Sequence, residues 1–142
     1  MSKLTELIEK KKERKQSLPT KGSYYSKKED FEFTFKKCDE ELFFYLIDKF
    51  PLGFSEQPKM SELLKAMNNL IYECVVIDGK SLKDKEVQEV LGVNKKEPKK
   101  LIDNAAKALI EDFTERMELG TKILEFSGFS DKGNNQVQEI KN

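Results

Sequence analysis

The sequence predicts a mainly α (α+β) fold: a helical domain of four to five helices with a small N-terminal β-hairpin, a long C-terminal helix and a flexible tail. Three observations carry this. Apolar residues recur at helical spacing through most of residues 39–127. Phe31, Phe33 and Phe35 instead alternate with Glu32, Thr34 and Lys36, the period of a half-buried strand. Beyond Phe129 the chain reads SDKGNNQVQEIKN, too polar to pack. At 142 residues one domain is expected. The organisation expected is a basic helix or arm over 1–20, one α-rich domain over 21–128 with the hairpin at about 22–37, and a tail over 129–142.

Leu4, Leu7 and Ile8 fall on one face of the first helix, with Ser2 as its cap and Lys10, Lys11, Lys12, Arg14 and Lys15 toward its C-terminal end, where cations suit the dipole. Leu18-Pro19 ends it, since the residue before proline leaves the α region. Tyr24 and Tyr25 lead through the charged loop 26–30 into the Phe31–Phe35 strand, which gives the hairpin. A lone hairpin is unstable in water, so its Phe face must rest on helices or on another copy. Asp39 caps a helix carrying Leu42, Phe43, Leu46, Ile47 and Phe50, stopped by Pro51 and a loop over 51–59. Ser61 is expected to cap the next helix, whose wide apolar stripe runs from Leu63 to Val75 and ends near Asp78-Gly79. A short helix follows over 82–93, with Val87, Val90 and Leu91 inward and Gly92 closing it. Pro98 then opens the longest helix, expected to run to Ser127 with Ile102, Ala105, Ala106, Leu109, Ile110, Phe113, Met117 and Leu124 in period. Gly120 inside it marks a point of bending or breakage.

Composition argues against an enzyme. Histidine is absent, which removes the commonest general acid–base group and metal ligand. Cys38 and Cys74 stand far apart, without zinc or disulfide spacing. No phosphate-binding, dinucleotide or nucleophile-elbow motif occurs. No catalytic residue, metal or cofactor is expected. Glu111, Asp112, Glu115 and Glu118 form an acidic cluster for which Lys/Arg pairing or plain solvation is explanation enough, solvation being favoured. No window is apolar enough to span a membrane, and the N-terminus lacks the apolar core of a secretory signal, so a cytoplasmic location is expected.

Charge is balanced overall, with 26 Lys+Arg and 26 Asp+Glu, but not along the chain. Residues 1–38 hold 11 Lys/Arg against 6 Asp/Glu, net +5, and the remainder is net −5. A basic front and an acidic back favour contact between copies. The candidate self-association residues are Phe31, Phe33 and Phe35 with Lys10, Lys11 and Lys12. Nucleic-acid binding is disfavoured, because Glu6, Glu9 and Glu13 interrupt the lysine cluster and the whole chain is neutral. Apolar residues near the polar tail, Leu119, Ile123, Leu124, Phe126 and Phe129, are the candidate partner-binding set. The competing view is that they complete the core against the hairpin.

Several stretches, in this order, resemble a known family: LTELIEKKKERKQSLPTK, FEFTFKKCDEEL, LLKAMNNLIYECVV, KEVQEVLGV followed by EP, and GTKILEFSGF. Across about residues 3–129 the chain resembles the tail assembly chaperones of contractile-tailed phages and defective prophages, the XkdN-like family. The resemblance implies a late, non-catalytic protein of the host bacterial cytoplasm, absent from the mature particle. It implies binding to the tape measure protein while tail tube protein assembles around it. The family commonly makes a short product and a longer, frameshifted one, and this chain resembles the short form. One departure is Glu97 where Asp is expected as the cap before Pro98. The alternatives are a small phage-type DNA-binding or regulatory protein, and a structural tail subunit.

Overall fold

In the computed structural model, residues 2–17, 20–50, 59–93 and 97–129 are described. Six α-helices and a four-stranded sheet occupy them: α1 (Lys3–Ser17), β1 (Lys21–Ser26), β2 (Phe31–Lys36), α2 (Glu40–Lys49), α3 (Met60–Cys74), β3 (Val75–Ile77), β4 (Lys80–Ser81), α4 (Lys85–Leu91), α5 (Leu101–Leu109) and α6 (Phe113–Ser127). The mainly α, α+β class expected from periodicity is the one observed. The helix count is six, because the long C-terminal helix is two.

The sheet is antiparallel throughout, in the order β1-β2-β3-β4. β1 and β2 form the expected hairpin, with Tyr24 opposite Phe33 and Gly22 opposite Phe35. The sequence reading did not contain β3 and β4. Val75, expected as the last turn of a helix, begins β3 and pairs with Phe35. Asp78 and Gly79, both at positive φ, make the two-residue connection to β4. That conformation matches the strand twist and suits Asp-Gly.

α3 is the central helix, buried along Ala66, Met67, Leu70, Ile71 and Cys74, and it packs against both α5 and α6. Its N-cap is Lys59 with no side-chain hydrogen bond, so Ser61 does not cap it. Asp39 does cap α2, accepting from the Leu42 amide at 2.8 Å. Gly92, in the left-handed region, closes α4 as expected. Val90, expected inward, is exposed on that helix.

Pro98 opens a 3₁₀ turn over Pro98–Lys100, and α5 begins after it. The break expected at Gly120 is absent. The chain is interrupted instead around Ile110, which is extended, and restarts at Asp112, which caps α6 by accepting from the Glu115 amide at 3.0 Å. Arg116 is buried and resolves the ends that the break exposes. Its guanidinium donates to the Ile110 and Glu111 carbonyls at 2.7 and 2.8 Å and to Asn68 Oδ1 at 3.1 Å. Asn68 in turn donates to Asp103 at 3.0 Å. Gly120 lies at the crossing of α6 and α3. A Cβ there would stand 2.8 Å from Met67 Cβ, so only glycine allows this approach.

Candidate functional site

Of the acidic cluster Glu111, Asp112, Glu115 and Glu118, two members lie in α6 and Asp112 is its N-cap, and these three bind the hairpin. Glu115 is buried and accepts from Ser26 Oγ at 2.6 Å and from the Lys27 amide at 3.1 Å. Glu118 accepts from the Tyr24 hydroxyl at 2.8 Å. Asp112 pairs with Lys28 at 2.9 Å. The hydrogen bond from Lys28, together with the Glu115 amide, holds the Asp112 carboxyl below its ordinary range. Burial and the bond to Glu118 push the Tyr24 phenol well above its ordinary value. The acidic cluster is therefore a seam that fixes the hairpin on α6. The order Asp112-Phe113-Thr114-Glu115 is a capping signature that could have located this helix start.

This seam corrects the candidate residues. Leu119 and Ile123 are fully buried in the core and offer nothing to a partner in the folded chain. Phe33 and Phe35 are likewise buried in the core, where Phe35 meets Phe126 of α6. Only Phe31 of that row is exposed, with its ring 4.9 Å from that of Phe33. Phe126 meets Phe35 edge-on at 5.5 Å and packs against the core, as does Leu124. Cys38 and Cys74, distant in sequence, are both buried and free, and Cys38 Sγ donates to the Asp39 carbonyl at 3.4 Å. The neighbouring Cys38 thiol and burial push the Cys74 thiol up.

One predicted partner residue reaches a different place. Gly128 takes a left-handed conformation and ends α6, and Phe129 then stacks on Phe43 of α2 with ring centroids 4.3 Å apart. The junction is held from below, where Ser127 Oγ accepts from the Cys38 amide at 2.8 Å and donates to the Ile123 carbonyl at 2.7 Å. Phe43 also neighbours Phe44 at 5.9 Å. Phe44 and Tyr45 are exposed, at 58% and 49%. Phe129, Phe43 and Phe44 thus form an aromatic ridge that crosses α2, and Tyr45, further round the helix, accepts from Lys49 Nζ at 3.0 Å. Glu40, Glu41 and Asp48 are exposed on the same helix. Helical periodicity assigned Phe43 to the core, against which it packs, and gave Phe44 and Tyr45 no role. The signal was available: three successive aromatics in one helix cannot all face inward.

α1 is the second surface of interest. Every residue from Lys3 to Arg14 is exposed, including Leu4, Leu7 and Ile8. Ser2 caps it as expected, accepting from the Thr5 amide at 3.2 Å. Lys10, Lys11 and Lys12 are exposed on it. Among the described residues no helix is long and apolar enough to cross a membrane, and no cluster of three or more ligating groups could hold a metal ion.

Comparison with protein-family models finds no match, and neither the curated proteins nor the solved structures contain one. The expected tail-like segment lies outside the described residues, apart from Phe129, as does most of the loop over 51–59.

Proposed function

We propose that the chain is a non-catalytic tail assembly chaperone that captures amphipathic helical segments of a tape measure protein and yields them to tail tube protein. The observation that carries this reading is the aromatic ridge of α2 and Phe129. A groove-binding client helix presents apolar side chains at i, i+3 and i+4, and an exposed aromatic surface on a rigid support is what such a helix requires. Acids beside the ridge keep it soluble and select clients with cationic flanks. The sequence resemblance to the XkdN-like chaperones names the client, and the ridge lies where the chain continues toward its C-terminal residues. On this reading the protein acts in the host cytoplasm and is absent from the finished particle.

Co-expression with the tape measure protein of the same phage or prophage tests the reading. Native protein should raise the soluble fraction of tape measure and co-purify with it. The double variant Phe44→Ser, Phe129→Ala should keep its fold and lose both effects. Retention of both effects by a normally folded double variant would sink the proposal. Detection of the chain in mature particles would instead identify a structural subunit.

A further inference from the structure

We propose that α1 of one copy docks on the exposed face of α2 of a second copy, joining chains head to tail. The first observation is how α1 distributes its charge. At roughly 100° per residue, Leu4, Leu7 and Ile8 form one stripe, Lys11 continues it, and Lys3, Lys10 and Lys12 flank it. Glu6, Glu9 and Glu13, which interrupt the lysines in sequence, all fall on the opposite side. The helix therefore has an apolar face bordered by cations, and Leu4, Leu7 and Ile8 on that face are exposed.

The second observation is the complementary surface. On α2, Phe44 and Tyr45 are exposed, Glu40, Glu41 and Asp48 lie on the same side of the helix, and the one cation of that helix, Lys49, donates to the Tyr45 hydroxyl at 3.0 Å. Among the described residues, neither these three acids nor Lys10, Lys11 and Lys12 enter an ion pair. An apolar stripe with lysines fits an aromatic pair with carboxylates in both polarity and charge. Leu4, Leu7 and Ile8 on α1 and Phe44 and Tyr45 on α2 are all exposed, and the two faces carry opposite charge, so a second copy is the occupant.

Such a contact is heterologous, since each chain keeps an unused α1 at one end and an unused α2 at the other. It therefore closes into a ring or extends as a filament. Two short helices bury less than the roughly 1,200 Å² of a stable interface, so each contact is weak and salt-sensitive. The inference does not depend on the client reading. Phe44 serves both surfaces, so copy–copy docking and client capture compete where both occur.

Sedimentation velocity of the full chain at low salt, over a range of concentrations, tests this without a client. The native chain should assemble as concentration rises and dissociate as salt rises. Lys11→Glu with Lys12→Glu should shift assembly at least tenfold toward higher concentration, and so should Glu41→Lys with Asp48→Lys. All four positions are exposed, so circular dichroism should be unchanged. Combining the four substitutions in one chain should restore assembly, because the charges are complementary again. A native chain that stays monomeric would overturn the proposal, as would a combined variant that does not recover. Unchanged association with loss of binding to anionic vesicles or DNA would assign α1 to those ligands instead.

Discussion

The seam between α6 and the hairpin and the face shared by α2 and Phe129 are both rich in acids and aromatics, yet they do opposite things with them. At the seam, three acids have internal partners. Glu115 holds Ser26 and the following turn, Glu118 holds Tyr24, and Asp112 holds Lys28. On α2, Phe44 and Tyr45 are open to solvent beside Glu40, Glu41 and Asp48, none of which enters an ion pair among the described residues. The difference teaches that composition does not mark an interaction surface. What marks it is whether polar groups are satisfied within the chain. A satisfied carboxylate holds a fold together, and an exposed aromatic beside unpaired carboxylates is available to another molecule.

The largest way to break this contrast is at the interior end of the seam. Arg116→Ala strands the Ile110 and Glu111 carbonyls and leaves Asn68 Oδ1 without its donor. Denaturant titration should show a loss of about 3–5 kcal/mol, the range for breaking a buried, charge-assisted network. Association between copies, corrected for the unfolded fraction, should not change.

Gly120→Ala sharpens the same side of the comparison through its sign. Helix propensity alone gives a gain of about 1 kcal/mol for this change. The new methyl would meet Met67, whose Cβ and Cγ lie 2.8 and 3.0 Å from its position. Overpacking of this kind costs roughly 1–3 kcal/mol, so the variant should melt below the native chain.

Asp112→Ala removes the α6 cap and the pair with Lys28, with an expected loss of stability near neutral pH smaller than that of Arg116→Ala. The effect carries a pH signature. The folded-state carboxyl titrates below its unfolded value, so its contribution is complete above the unfolded value near 3.8 and is lost as pH falls through the lower folded value. Native and variant stabilities should therefore converge in acid and differ fully above about pH 5. A constant difference across that range would assign the loss to the helix backbone and not to the carboxylate.

The smallest stability effect belongs to the open face. Phe44→Ser removes a half-exposed ring and should change stability by less than about 0.5 kcal/mol. It should nevertheless abolish client capture and weaken copy–copy docking, measured by co-purification and by sedimentation. A large loss of stability would show that Phe44 supports the fold, and would place the two regions on the same footing.

Much of the fold was legible in residues whose local chemistry matches their tertiary role. Asp39 before an apolar run, Gly92 after one, and the Phe31–Phe35 alternation each predict the element they belong to, because capping, left-handed closure and the strand period are local constraints. The Asp78-Gly79 turn and the Asp112–Glu115 cap signature were present in the same local language, although apolar period concealed both. Tertiary structure alone decided the rest. The stripe of α6 that faces the core includes Glu115 and Arg116, and hydropathy cannot recognise a buried face whose charges are satisfied by residues 48 and 89 positions away. Gly120 reads as a weak point in isolation and is a helix crossing only because Met67 lies opposite. Leu119 and Ile123 look available beside a polar tail, yet α3 and the sheet bury them, and Phe129 reaches the ridge only because Gly128 turns the chain toward α2. Periodicity reports which side of an element is apolar. Which neighbour covers that side, and which is left bare, depends on contacts between residues distant in sequence.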